Sequence, residues 1–270
     1  MTTFVITGAS DGIGAELARQ LARRHGASAD LVLAARSADK LQAVAGDCAT
    51  CGAQVLVAPT DVSREQDCRA LVASAAERFG GIDVLVNNAG VSAHAVFESV
   101  TAQDLHWYQD LMAINLWGAV WCTHAALPHL KASRGQVVAV SSLAGLVGVH
   151  GRTAYSATKF AMAGFFEALR MELRPAGVAV TTAYPGVVAT GTRRNGWNAQ
   201  GRTAGRSGLK EEGAMPVDMC ARLLLQGMQA RRREILFTPR DRFARFLKLV
   251  SPGTIEKMAL KALADEEQPR

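Results

Sequence analysis

The 270 residues predict a single α/β domain built on a doubly wound parallel sheet, and three observations carry that prediction. Short apolar runs alternate with helix-like stretches from end to end. Most of the runs are dense in Val, Leu, Ile or Ala without clean alternation, as expected of parallel strands covered on both faces. A glycine-rich turn joins the first run to the first helix-like stretch.

The strands are expected at Thr3 to Thr7, Asp30 to Ala35, Gln54 to Pro59, Val84 to Asn87, Gln136 to Ser141 and Ala179 to Tyr184. Helices are expected at Ile13 to Arg24, Ala38 to Ala45, Arg64 to Phe79, Ala102 to His129 and Ala154 to Leu173, with Ser63 capping the third. Strict alternation of the two implies right-handed βαβ units. At 49% hydrophobic the chain can bury one sizeable core, and it contains no internal repeat or low-complexity linker. Residues 1–190 are read as the core. Residues 191–215, rich in glycine and poor in apolar anchors, are read as a lid, and residues 216–270 as a C-terminal helical extension of the same domain. In that extension Phe243, Phe246, Leu247 and Val250 recur at i, i+3, i+4 and i+7 beside Arg242, Arg245 and Lys248, a basic amphipathic helix. It is expected to pack on the core or a subunit, or to make a peripheral membrane contact. Ser251-Pro252-Gly253 should then break the chain before a last helix from Ile255 to about Ala264.

Composition narrows the function. Five scattered cysteines in a chain this large point to a reducing, cytoplasmic setting, and the one pair with ligand spacing, Cys48 and Cys51, lacks the second pair a structural zinc would want. No metal is expected. No apolar run reaches the length of a membrane span, and no signal peptide is read before Phe4-Val5-Ile6. Residues 190–250 carry 13 Lys and Arg against 5 Asp and Glu, so the basicity is local. No aromatic-basic interleaving accompanies it, which argues against nucleic acid.

The turn after the first strand reads Thr7-Gly8-Ala9-Ser10-Asp11-Gly12-Ile13-Gly14. Glycines there permit tight backbone turns and let a pyrophosphate reach the amides at the helix N-terminus. The second strand ends Ala34-Ala35-Arg36-Ser37. A site for NAD normally presents a carboxylate at this point to the ribose 2′-hydroxyl, whereas a 2′-phosphate wants Arg. Arg36 therefore favours NADP(H), with NAD(H) as the alternative; Asp11 adds a carboxylate that weakens the case.

Tyr155 and Lys159 are four residues apart, on one face if the segment is helical, and Ser142 precedes Tyr155 by thirteen residues. A phenol of pKa near ~10 is a poor base at neutral pH. A fixed ammonium beside it favours the phenolate, as proton transfer to or from a carbonyl oxygen requires. A serine hydroxyl would donate a hydrogen bond to that oxygen as charge develops. Ser141 and Ser142 compete for this role.

With those motifs in order the chain resembles the short-chain dehydrogenase/reductase family, over Thr3 to about Thr192, and within it the NADPH-linked hydroxysteroid and 3-ketodihydrosphingosine reductase branch. The resemblance implies a Rossmann-type fold and selects Ser142 by its distance from Tyr155. It implies that Asp61 and Val62 flank the adenine and that Asn88, Ala89 and Gly90 line the cofactor wall. It places Pro185, Gly186, Val188 and Thr190 in the cofactor site as well, Thr190 holding the nicotinamide carboxamide. It adds Asn115 as a fourth catalytic residue, whose backbone carbonyl positions a water that relays protons to Lys159. It also implies a homodimer or homotetramer formed through the helices carrying Asn115 and Tyr155. The expected activity is interconversion of a ketone and a secondary alcohol, on a substrate made lipophilic by loops containing Val91, Val96, Phe97, Leu143, Leu146, Val147, Val149 and Trp197. His94 and His150 lie on the same loops. Arg193, Arg194, Arg202 and Arg206 are candidates for a substrate phosphate or carboxylate, or for a solvated lid. The rival readings are an NAD-linked alcohol dehydrogenase and a nucleotide-sensing protein without catalysis.

Overall fold

Seven parallel strands form one sheet in the computed structural model, which describes residues 1–261 and 263. They are β1 (Thr2–Thr7), β2 (Ala29–Ala35), β3 (Gln54–Pro59), β4 (Val84–Asn87), β5 (Gln136–Val140), β6 (Ala179–Tyr184) and β7 (Glu234–Leu236). Their order is β3-β2-β1-β4-β5-β6-β7. Side chains alternate across a strand, so β1 sends Phe4 and Ile6 to one face and Val5 to the other, and all three are buried. The first face packs against α1 (Gly12–His25), α2 (Ala38–Ala49) and α7 (Val217–Gln229) through residues such as Leu17, Leu21, Leu41 and Leu224. The second packs against α3 (Glu65–Phe79), α5 (Gly118–Ala132) and α6 (Thr153–Leu173) through Leu71, Leu130, Met162 and Phe166. Burial on both faces is why the central strands are rich in Val, Leu, Ile and Ala, whereas β3, at the edge, is only half-buried.

The structure corrects several expectations. The long helix expected from Ala102 to His129 is broken into a 3-10 turn (Ala102–Asp104), α4 (His106–Met112), a π-turn (Ala113–Trp117) and α5. The break presents buried Asn115 to Val91, and it lets Gly118 approach the Asp61-Val62 segment, where a Cβ would lie 2.7 Å from the Val62 carbonyl. Ser63 does not cap α3. Its amide and hydroxyl both bond Asp61 Oδ1, at 3.0 and 2.7 Å, and the helix begins after Arg64 with Glu65 and Asp67 favouring its positive end. β7 was not expected at all. α8 (Pro239–Val250) carries a capping box between Thr238 and Asp241, and its Phe243, Phe246 and Val250 are 55, 60 and 60% exposed, so that face does not pack on the core of its own chain. Pro252 starts α9 (Pro252–Lys261) instead of breaking the chain ahead of it, at a position where its missing N–H costs nothing. The rest of the last helix as expected, at Ala262 and Ala264, lies outside the described residues.

The 191–215 segment is anchored. Trp197 donates its amide to the Ser92 carbonyl and accepts from His94 N, both at 2.9 Å, and its ring meets Trp107 edge-on at 6.3 Å.

Candidate active site

A cleft of about 910 Å³ opens at the C-terminal ends of β1, β4, β5 and β6, where the strand order reverses. One end is the turn between β1 and α1. Gly8 has φ 67°, and a Cβ there would sit 2.8 Å from Ala89 Cα. Gly14 lies behind the turn, where a Cβ would come within 2.4 Å of the Gly8 carbonyl, so α1 can start only if this residue is glycine. Asp11 caps α1 by accepting from Gly12 N at 2.6 Å. Asn88 ties the turn to β4, donating from Nδ2 to the Thr7 and Gly8 carbonyls at 3.0 and 3.1 Å. Thr7 Oγ1 in return accepts the amides of Asn88 and Ala89, each at 3.0 Å. Arg36 is exposed at the end of β2 and lines the cleft with Ser37 and Lys40.

The other end gathers Ser142, Tyr155 and Lys159. Ser142 follows β5 and caps the short turn Leu143–Gly145, its Oγ accepting from Ala144 N at 3.2 Å. Ser141 is buried and turned away, donating to the Lys159 carbonyl at 3.2 Å. Tyr155 and Lys159 share a face of α6, with Lys159 Nζ 5.8 Å from the Tyr155 ring centroid and donating to the Val140 carbonyl at 3.1 Å. Burial raises the proton affinity of the Tyr155 phenol. The Lys159 ammonium, the Arg152 guanidinium, a hydrogen bond with Ser142 and the charge of Arg193 together outweigh it, so the phenol lies below its ordinary range. Burial lowers Lys159, with Tyr155 opposing and Arg152 adding to the effect.

Asn115 does not line the cleft but braces it. Its Oδ1 accepts from Val91 N at 2.8 Å, and its Nδ2 donates to Val91 O at 3.0 Å and Thr158 Oγ1 at 3.1 Å. Every other expected catalytic or cofactor residue except Gly14 lines the cleft, while His94 and His150 do not. Of the apolar residues expected around the substrate, Val91, Leu143 and Val149 line it. Trp197 packs on Trp107 instead, and Phe97 is exposed against Tyr108. Arg193 and Arg194 both pair with Glu211, at 3.3 and 3.6 Å. Sequence reasoning missed Lys40 and Arg152. Lys40 was legible as a second cation four residues after Arg36; Arg152 had no local signal, because its hydrogen-bond partners Ser92 and Ala93 are about sixty residues away.

A family profile described as short chain dehydrogenase matches residues 2–201. The chain belongs to that family. It is 44% identical over 191 residues to an Arabidopsis thaliana protein named 11-beta-hydroxysteroid dehydrogenase-like 4A, covering 69% of this chain and 61% of that one, so this short-chain dehydrogenase spans about three fifths of that relative's length. Two solved structures are similar at 26% identity. One is an alcohol dehydrogenase of Thermococcus sibiricus complexed with 5-hydroxy-NADP, with TM-score 0.72 and coverage of 85% of this chain and 91% of that one. The other is a short chain dehydrogenase/reductase of Burkholderia phymatum in complex with NAD, with TM-score 0.80 and coverage of 94% of each chain.

The short-chain dehydrogenase cleft fits a dinucleotide on its own geometry. The glycine turn brings the backbone amides of the α1 N-terminus to the cleft, with Asp11 occupying that of Gly12, and a Cβ at Gly12 would meet Thr190 at 3.3 Å. Among the described residues no three His, Cys, Asp or Glu side chains cluster to hold a metal, and no helix is long and apolar enough to cross a membrane.

Proposed function

We propose that this short-chain dehydrogenase interconverts a ketone and a secondary alcohol with NADP(H) as its preferred cofactor. The observation that carries this reading is the convergence of Ser142, Tyr155 and Lys159 at one end of a cleft whose other end is a phosphate-ready glycine turn. The bound nicotinamide supplies or accepts the hydride. Tyr155 gives a proton to the carbonyl oxygen in reduction and takes it from the hydroxyl in oxidation. Lys159 keeps that phenol easily ionised, Ser142 holds the substrate oxygen, and Asn115 keeps the wall at Val91 in register with α6 while its backbone carbonyl serves the proton relay.

Arg36 and Lys40 after Ala35 support a 2′-phosphate, since both cations line the cleft at the end of β2 and Asp39 between them does not; Asp11 on the glycine turn is the carboxylate that opposes it. Val91, Leu143, Val149 and Leu209 support a lipophilic substrate. Association through the elements carrying Asn115 and Tyr155 is supported by Trp117, 47% exposed at the end of the π-turn and stacked on Trp121 of α5, with Phe160 38% exposed on α6. A cytoplasmic setting rests on the odd, unpaired cysteine set.

The test is nucleotide consumption, NADPH against NADH, over a panel of steroid, 3-oxoacyl and small aromatic ketones. The expected outcome is turnover of an apolar ketone with NADPH at least about tenfold more efficient, the effect of one charge-assisted contact. Equal or better use of NADH would replace this reading with the NAD-linked alcohol dehydrogenase.

A further inference from the structure

Arg152 is 8% exposed and lies at the reacting end of the cleft, yet no Asp or Glu of the described residues pairs with it. A guanidinium stays protonated even when buried, and a buried cation without a counter-charge is costly. Its position is fixed by two hydrogen bonds to one segment. Nε donates to the Ala93 carbonyl at 3.2 Å and Nη2 to Ser92 Oγ at 2.5 Å. The backbone beside it is stitched to the same segment by Ala95 N donating to Gly151 O at 2.7 Å. So held, the guanidinium carbon stands 4.2 Å from the Tyr155 ring centroid, nearer than the Lys159 ammonium at 5.8 Å. A cation over an aromatic face attracts the ring, and attracts it more strongly once the ring carries a negative charge.

We propose that Arg152 is a positioning residue for Tyr155: clamped against Ser92 and Ala93, its guanidinium stacks on the ring and favours the ionised phenol, with the phenolate as its counter-ion. This deepens the oxidoreductase reading and rests on it for its catalytic meaning. The groups facing Tyr155 are Lys159 from its own helix, Ser142 from the loop after β5, Arg152 from the turn before α6 and Arg193 from the segment after β6. Arg193 is already offset by Glu211, which leaves Arg152 and Lys159 as the two uncompensated cations. In alcohol oxidation the hydroxyl proton passes to the phenolate oxygen as the carbinol hydride leaves with the nicotinamide. A second cation on the ring therefore extends that direction to lower pH.

The chain has three tyrosines, which makes the effect visible without substrate or nucleotide. Tyr184 is pushed up to about 12 by burial. In a Tyr108→Phe background, the tyrosinate ultraviolet band that appears below that range reports Tyr155. Arg152→Gln is expected to raise the midpoint by about one pH unit, the size of a desolvated cation over a ring, while Arg152→Lys stays close to the parent. Ser92→Ala loosens the same guanidinium with a smaller lesion and covers the case in which Arg152→Gln does not fold; it should move the midpoint in the same direction by less. An unmoved midpoint in whichever of Arg152→Gln and Ser92→Ala folds overturns the proposal. The ketone panel fails or succeeds independently of this titration, so the two readings are separable.

Discussion

Asn115 holds two walls of the cleft together, spending its amide on Val91 N, Val91 O and Thr158 Oγ1. Replacing it with Leu would keep the volume but take the side-chain partner from a backbone donor and acceptor of half-buried Val91, at about 1–3 kcal/mol for each. Asn115→Leu is therefore expected to lower stability by about 2–5 kcal/mol in urea unfolding; a loss below about 0.5 kcal/mol would show that Val91 finds other partners. In the sequence Asn115 is a polar residue inside an apolar helix, and only resemblance to a family singled it out. The hydroxyl, phenol and amine of Ser142, Tyr155 and Lys159 were legible because two of them are fixed by helix periodicity. Arg152 was not, since its clamp depends on which loops the fold brings together.

The β1 to α1 unit positions the glycine turn, and its rigidity comes from packing. Leu17 and Leu21 are fully buried between the sheet and α7, beside Leu224. Leu21→Ala is expected to cost about 2–5 kcal/mol, the range for a large-to-small change in a packed core, measured as a shift in the denaturant midpoint. A cost under about 1 kcal/mol would mean that α1 is held by its cap and turn instead of by this face. Six strands were legible because each is a segment of four or more residues rich in Val, Leu, Ile or Ala between helical segments. β7 escaped because Glu234–Leu236 is three residues long, too short for any periodic signal, and follows three arginines. The break in the long helix escaped because apolar periodicity runs straight through the π-turn at Asn115.

Across the molecule, strict strand and helix alternation predicts the doubly wound sheet. Strand order then places the cleft where the sheet's two halves diverge, between β1 and β4. The local excess of basic residues after position 190 resolves partly into structure, with Arg193 and Arg194 on Glu211 and Arg245 on Glu234. The exposed Phe243, Phe246 and Val250 face of α8 was legible as an amphipathic pattern, but a pattern shows only that a face is apolar and not what it meets. The proposed reaction depends on Tyr155 moving the proton at one end of the cleft. Tyr155→Phe keeps the ring and removes the hydroxyl, so turnover of the best ketone from the panel is expected to fall by about 10²–10⁴-fold, while nucleotide affinity, read by fluorescence titration, changes little. Near-normal turnover in that variant would contradict it.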